Sequence, residues 1–140
     1  MIPRRILLAA LVILTATFVS CRTAPIRNIP MNSIPTTQYM SLTQDEVAGA
    51  IIMGGNKAGW SMRKVEPGLI VGTIQVRTHE AQVDVRYSAT TWNITYRDSK
   101  NLKFNGEKIH SNYNKWVSRL GDFIRNQINE DMEFHVQRKN

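Results

Sequence analysis

Between Ile70 and Arg97 the apolar residues recur at every second position. Ile70, Gly72, Ile74 and Val76 alternate with Val71, Thr73, Gln75 and Arg77; Val83, Val85 and Tyr87 alternate with Asp84 and Arg86; Trp92, Ile94 and Tyr96 alternate with Asn93, Thr95 and Arg97. On a helix these side chains would scatter around the whole circumference. On a strand each set lines one face, so each run reads as a half-buried strand. A loop centred on His79-Glu80 puts Val76 opposite Val83, Ile74 opposite Val85 and Gly72 opposite Tyr87. A loop over Ser88 to Thr91 puts Tyr87 opposite Trp92, Val85 opposite Ile94 and Val83 opposite Tyr96. One apolar face then runs across all three strands, which is the condition that selects a register. Tyr87 across from Gly72 would cover the gap that a glycine leaves. Pro67-Gly68 marks an earlier turn. The strand before it, Trp60 to Glu66, has Trp60 and Met62 out of phase with Val65, and a bulge near Arg63 or Lys64 would reconcile them.

Helical spacing flanks this meander. Thr43-Gln44-Asp45-Glu46 has the form of a capping box, and Val47, Ala50, Ile51, Gly54 and Ala58 follow as one stripe, predicting a helix over 44–57 that Gly59 stops. Tyr113, Trp116, Val117, Leu120, Ile124 and Ile128 form a second stripe, predicting a helix from Lys108 or Asn112 to Asn129, with Asn114, Lys115, Ser118, Arg119, Asp122 and Arg125 facing out. Residues 131–140 read as a charged, fraying tail in which Phe134 and Val136 could add a short edge strand. The predicted class is α+β: a two-layer sandwich of N-terminal helix, four-stranded antiparallel meander and C-terminal helix, both helices on the apolar sheet face.

The N-terminal part reads differently. Arg4 and Arg5 precede a run of fourteen apolar residues and threonines, Ile6 to Val19, followed by Ser20 and Cys21, the single cysteine of the chain. The run falls short of the about 20 residues a transmembrane helix needs. Its order is that of a secretory signal. Phe18-Val19-Ser20-Cys21 resembles the lipobox of bacterial lipoproteins, although Phe18 stands where an aliphatic residue is usual. The resemblance implies cleavage before Cys21, acylation of its thiol and, because Arg22 rather than aspartate follows, attachment to the outer membrane facing the periplasm. Acyl chains contribute about 0.8 kcal/mol per buried methylene, enough in combination to hold a protein on a bilayer. The expected division is a signal over 1–20, a lipidated Cys21 with an extended linker over 21–40, an α+β domain over 41–130 and the tail over 131–140. Pro25, Pro30 and Pro35 support the linker, which would lift the domain off the membrane; the alternative is that Ile29 or Ile34 docks as an irregular arm.

Loss of Arg4 and Arg5 with the signal lowers the formal charge from +7 to +5. That is too small and dispersed for nucleic-acid binding, and the bases of the outward sheet face, Arg77, Arg86 and Arg97, carry no interleaved aromatics for stacking. With one cysteine, no internal disulfide can form. His79, Glu80, His110 and His135 lack the spacing of a metal site, so neither metal nor other cofactor is expected. His79 and Glu80 read as a solvated hairpin tip. Asp98, Ser99, His110 and Ser111 can be written as a triad, but no nucleophile elbow surrounds either serine, and Ser111 has a simpler use as a helix N-cap. Tyr96, Asp98, Ser99, Asn101, His110, Asn112, Tyr113, Asn114 and Trp116 gather aromatics and amides around one loop, a mixture that suits a polar ligand or partner. The competing reading has His110 and the asparagines tying down that loop through internal hydrogen bonds.

The order of elements is similar to the small helix-and-sheet modules of outer-membrane lipoproteins, including those of the β-barrel assembly machine. The run Tyr96-Arg97-Asp98-Ser99-Lys100-Asn101-Leu102, with Ile109-His110 through Trp116, resembles a family of uncharacterised proteobacterial lipoproteins, which implies a location and no activity. The expectation is a non-enzymatic, lipid-anchored periplasmic module that binds a protein or envelope component. A binder of small polar ligands or cell-wall fragments using residues 98–116 is the alternative, and an envelope hydrolase the third.

Overall fold

A computed structural model describes residues 22–138; the expected signal and Cys21 lie outside the described residues. In chain order the elements are β1 (Thr23–Pro25), β2 (Ile29–Ser33), α1 (Gln44–Lys57), β3 (Ser61–Glu66), β4 (Leu69–Val76), β5 (His79–Tyr87), β6 (Thr91–Lys100), β7 (Lys108–His110) and α2 (Ser111–Arg138). Strands β2-β6-β5-β4-β3, in that spatial order, form an antiparallel sheet, and β1 pairs with β7 in a two-stranded ladder. The class is α+β, with α1 and α2 packed against the sheet.

Both ends of α1 follow from local chemistry. The Thr43 hydroxyl accepts from the Glu46 N–H at 3.2 Å, and the Glu46 carboxylate accepts from the Thr43 N–H at 2.8 Å, so two orphan donors are satisfied reciprocally. At the other end Trp60 N–H donates to Gly55 O and Gly59 N–H to Asn56 O, both at 3.0 Å, the paired closure that a residue at Gly59's φ of 91° makes possible. Helix α1 runs antiparallel to α2. Glu46 reaches His135 at 2.9 Å, while Gly54 abuts the backbone of Phe123 and Ile124.

The core lies between the helix pair and the inward sheet face. Val47 and Ile51 of α1, Leu120 and Ile124 of α2, and Ile70, Val83, Val85 and Ile94 of the sheet are fully buried. Each such side chain contributes about 1.5–3 kcal/mol relative to exposure. The β5–β6 register is the expected one: Tyr87 lies opposite Trp92, Val85 opposite Ile94 and Val83 opposite Tyr96.

Four expectations are corrected. First, the β4–β5 register is displaced by four residues, because the loop centre lies two residues earlier than expected. Val76 pairs with His79, Ile74 with Ala81, Gly72 with Val83 and Ile70 with Val85, because the chain turns at Arg77-Thr78, with Arg77 at a φ of 56°. A four-residue slip is even and so preserves which side chains face inward, and the apolar face survives. Gly72 therefore does not face Tyr87. Its space is taken by Met62, whose thioether would lie 3.0 Å from an added Cβ there, and which also fills the place of a Cβ on Gly55. Second, the bulge of β3 falls between Lys64 and Glu66, where it turns Val65 outward. Third, residues 131–138 continue α2: Met132 is buried, and Phe134 and Val136 stand exposed on the helix rather than in a strand.

Fourth, the expected linker belongs to the fold. Strand β1 pairs along β7, and β2 pairs with the edge of β6, with a register break between Ile29 and Asn32 around Pro30. Ile34 is buried and its N–H donates to Thr90 O at 2.7 Å. Proline is tolerated here because β2 is an edge strand, where one row of backbone donors has no strand to serve.

The two helices test each other at Gly54. An added Cβ would come within 2.8 Å of Phe123 O and 2.9 Å of Ile124 Cα, whereas one on Gly49 would meet nothing within 4 Å. Gly54→Ala is expected to destabilise the domain by about 1–3 kcal/mol in urea unfolding. Gly49→Ala, in the same helix, is expected to stabilise it by about 0.5–1 kcal/mol.

Candidate functional site

The polar residues singled out from sequence are mostly occupied with each other and with the backbone. The Asn114 side chain accepts from Arg27 N–H and donates to Pro25 O, both at 2.9 Å, pinning the N-terminal arm between β1 and β2 onto α2. His110 lies at the end of β7, and its Nδ1 accepts from Asn112 N–H at 3.2 Å, capping the first turn of α2. Ser111, expected as that N-cap, is instead the first helical residue, and its N–H donates to Arg22 O at 2.8 Å. Asn101, at a φ of 57°, donates from its side chain to the Thr78 hydroxyl at 2.7 Å, and its carbonyl accepts from His79 Nδ1 at 2.6 Å. His79 is thus a half-buried residue of β5 tied to the loop after β6, and not a solvated tip.

The aromatic members stack into the core edge. Tyr96 lies 4.3 Å from Phe104 and 5.7 Å from Tyr113 between ring centroids, and its hydroxyl shares a 2.9 Å hydrogen bond with Ser99. Tyr113 is fully buried with no partner for its hydroxyl; burial, and then Tyr96, push its phenol well above the ordinary range. Trp116 packs half-buried against the core. Asp98 accepts from Ser99 N–H at 2.8 Å. Ser99 and His110, two members of the written triad, therefore have their hydrogen bonds directed to Tyr96 and Asn112. Among the described residues no three His, Cys, Asp or Glu side chains gather as a metal site.

The concave surface lies on the other side of Asn114. The pinned arm and α2 border an open groove of about 650 Å³, contributed by residues 27–29 from the arm and by Asn114, Lys115, Val117, Ser118, Arg119, Asp122 and Phe123 from the helix. Ile29 is held against α2 because Gly121 lets it approach: an added Cβ there would come 3.4 Å from Ile29 Cγ1. The floor is apolar, from Ile29, Val117 and Phe123. The rim carries Arg27, Lys115 and Arg119 against one acid, Asp122, which Arg125 already pairs at 2.9 Å. The Arg119 guanidinium lies over the Phe123 ring at 5.2 Å. A second, separate hollow of about 180 Å³ lies beside Asn32 to Pro35, bounded by Trp92, Arg125 and Ile128. Such a groove can accept an extended, partly apolar and acidic ligand. Of the predicted residues it includes only Asn114. Phe123, seven residues after Trp116 and three after Leu120, continues the edge of the apolar stripe of α2 and is half-buried against the core, so its place in the groove has no separate mark in the sequence.

On the outward sheet face Asp84 of β5 receives Arg97 of β6 across the strands at 2.7 Å and Arg86 of its own strand at 3.9 Å, while Arg77 sits in the β4–β5 turn. No helix among the described residues is long and apolar enough to cross a membrane. The chain matches no protein-family model, no curated protein and no solved structure.

Asn114→Ala removes both bonds to the arm. It should lower stability by about 1–2 kcal/mol and raise amide hydrogen exchange selectively at Arg27 and along β1, as read by exchange mass spectrometry. A pH effect follows from His110, whose imidazole is held below its usual value of 6.5 first by burial and then by His79, Lys103, Arg22 and Lys115. The unfolded chain binds the proton that folded His110 resists, so its contribution is fully present above 6.5 and is lost as pH falls from there through the lower folded value. Unfolding midpoints in urea should decline over that acid window, and His110→Gln should flatten the decline.

Proposed function

We propose that this chain is a non-catalytic binding module of the bacterial envelope, anchored through acyl chains on Cys21 to the periplasmic face of the outer membrane. The groove between the arm and α2 takes a protein or envelope-component partner. The observation that carries the binding role is the composition of that groove: an apolar floor under three cationic side chains, with its one acid already paired. A surface of this kind recognises an extended segment with acidic groups flanking an apolar contact, with charge setting the rate of encounter and burial setting residence. The anchoring is supported by the order of charged, apolar and small residues that ends at Cys21.

Use of residues 98–116 for a small polar ligand is the weaker reading, because the side chains of Asn101, His110 and Asn114 already bond to Thr78, Asn112 and the arm. The same commitments count against a hydrolase.

A photo-crosslinking residue at Ser118, on the groove wall, tests the binding role in intact envelopes. A discrete adduct is expected, weakened by Arg119→Glu and by Phe123→Ala and absent when the same crosslinker stands at Val65. Absence of any adduct specific to Ser118 would refute the groove as the partner surface. Intact-mass measurement of the mature protein tests the anchor separately: a mass beginning at Cys21 and increased by acyl chains is expected.

A further inference from the structure

The first described residue, Arg22, is already part of the fold. Its carbonyl accepts from Ser111 N–H at 2.8 Å, and Thr23 pairs with His110. A lipid on Cys21 would therefore be one residue from the domain, with no length of chain to hold the two apart. This conclusion rests on the anchoring proposed above. It fixes which end of the domain meets the bilayer.

That end is built from four segments: the chain entry at Arg22, the Arg77-Thr78 turn, the loop after β6 and the start of α2. They are stitched together at short range. His110 N–H donates to Leu102 O at 2.7 Å, Asn101 bridges to Thr78 and His79, and the His79 and His110 rings lie 5.8 Å apart. The side chains brought there are Arg22, Arg77, His79, Lys103, His110 and Lys115. The nearby acids are few. Glu80 is taken by Lys100 at 3.3 Å, Asp98 accepts from Ser99 N–H at 2.8 Å, Glu107 is followed by Lys108, and the first turn of α2 has no acid. The opposite end, where α1 begins and α2 finishes, has Asp45, Glu46, Glu66, Asp131 and Glu133. Lys64 and His135 there are committed to Asp45 and Glu46, Arg86, level with Leu69, reaches Asp84 at 3.9 Å, and Arg138 lies over Phe134. The domain is thus electrically polarised along α2, which at 28 residues spans about 42 Å.

We propose that the basic end, whose charge comes from Arg22, Arg77, Lys103 and Lys115, rests on the anionic phospholipid headgroups of the membrane that holds the anchor, with the acidic end pointing away. Basic side chains close to an anionic leaflet are attracted to it, and the attraction fades within a Debye length. An acyl chain one residue from the patch keeps the patch within that range.

The test uses the full mature protein, reconstituted into vesicles that contain phosphatidylglycerol and a headgroup-attached paramagnetic quencher. With the Cys21 thiol acylated, a cysteine introduced by Lys115→Cys or by Val65→Cys is the single free thiol and carries the fluorophore. Quenching severalfold stronger at position 115 than at 65 is expected, reduced in phosphatidylcholine vesicles and by the pair Arg77→Glu and Lys103→Glu. Equal quenching at the two positions, or stronger quenching at 65, in protein whose acylation is verified by mass would overturn the orientation while leaving the anchor intact. A bare thiol at Cys21 in the purified mature protein would overturn the anchor and this proposal together.

Discussion

Everything unusual about this fold depends on Asn114. A single side-chain amide on the second turn of α2 satisfies a backbone acceptor at Pro25 and a backbone donor at Arg27, 89 and 87 residues away. Proline-rich chain has few donors of its own to offer a sheet, so it needs such an external partner to become ordered. With the arm pinned, Ile29 drops onto Gly121, β2 meets the edge of β6, and the space left between arm and helix becomes the groove. The same bond pattern brings Arg22 to the start of α2, so the direction in which the chain leaves the domain is set by the helix as well.

The sequence was most legible where structure is decided locally. The capping box at Thr43 and the stop at Gly59 bound α1 on the residues expected, and the alternation of Val83 to Tyr96 specified the β5–β6 register. Legibility declined with distance. The Arg77-Thr78 turn has neither glycine nor asparagine, and the support it gets from Asn101 comes from 23 residues downstream, so the favoured loop was placed two residues late. The charged end of α2 looked frayed because its restraints, Met132 in the core and the His135 contact with Glu46, belong to other elements. Strands β1 and β2 were hidden for the strongest reason: three prolines argue for extended chain, and extended chain becomes a strand only when an edge is waiting for it.

The candidate site shows the same division. Sequence grouped Asn101, His110 and Asn114 because amides and a histidine cluster there, and in the fold they are indeed neighbours of the loop and the helix start. Their hydrogen-bonding capacity is spent on internal backbone and hydroxyl partners, which is the structural reading of that cluster. The groove had no comparable signature because half of it is made by residues 27–29, whose place beside α2 depends on a contact across most of the chain. Phe123 had no mark of its own either, because it shares the helical face of Trp116, seven residues before it, and packs half-buried against the core.

Pro30 has a consequence for crowding. Proteins attached to a sheet of lipid meet one another edge-on and at high local density, the geometry in which two unprotected strands would zip into a shared ribbon. At one margin of this sheet a proline has removed a donor and broken the pairing rhythm between Ile29 and Asn32; at the other, the kink at Val65 interrupts β3 beside Arg63 and Lys64. Neither border offers a neighbour an unbroken ladder to copy. Copies gathered in two dimensions by the proposed anchor would therefore slide past each other as separate bodies.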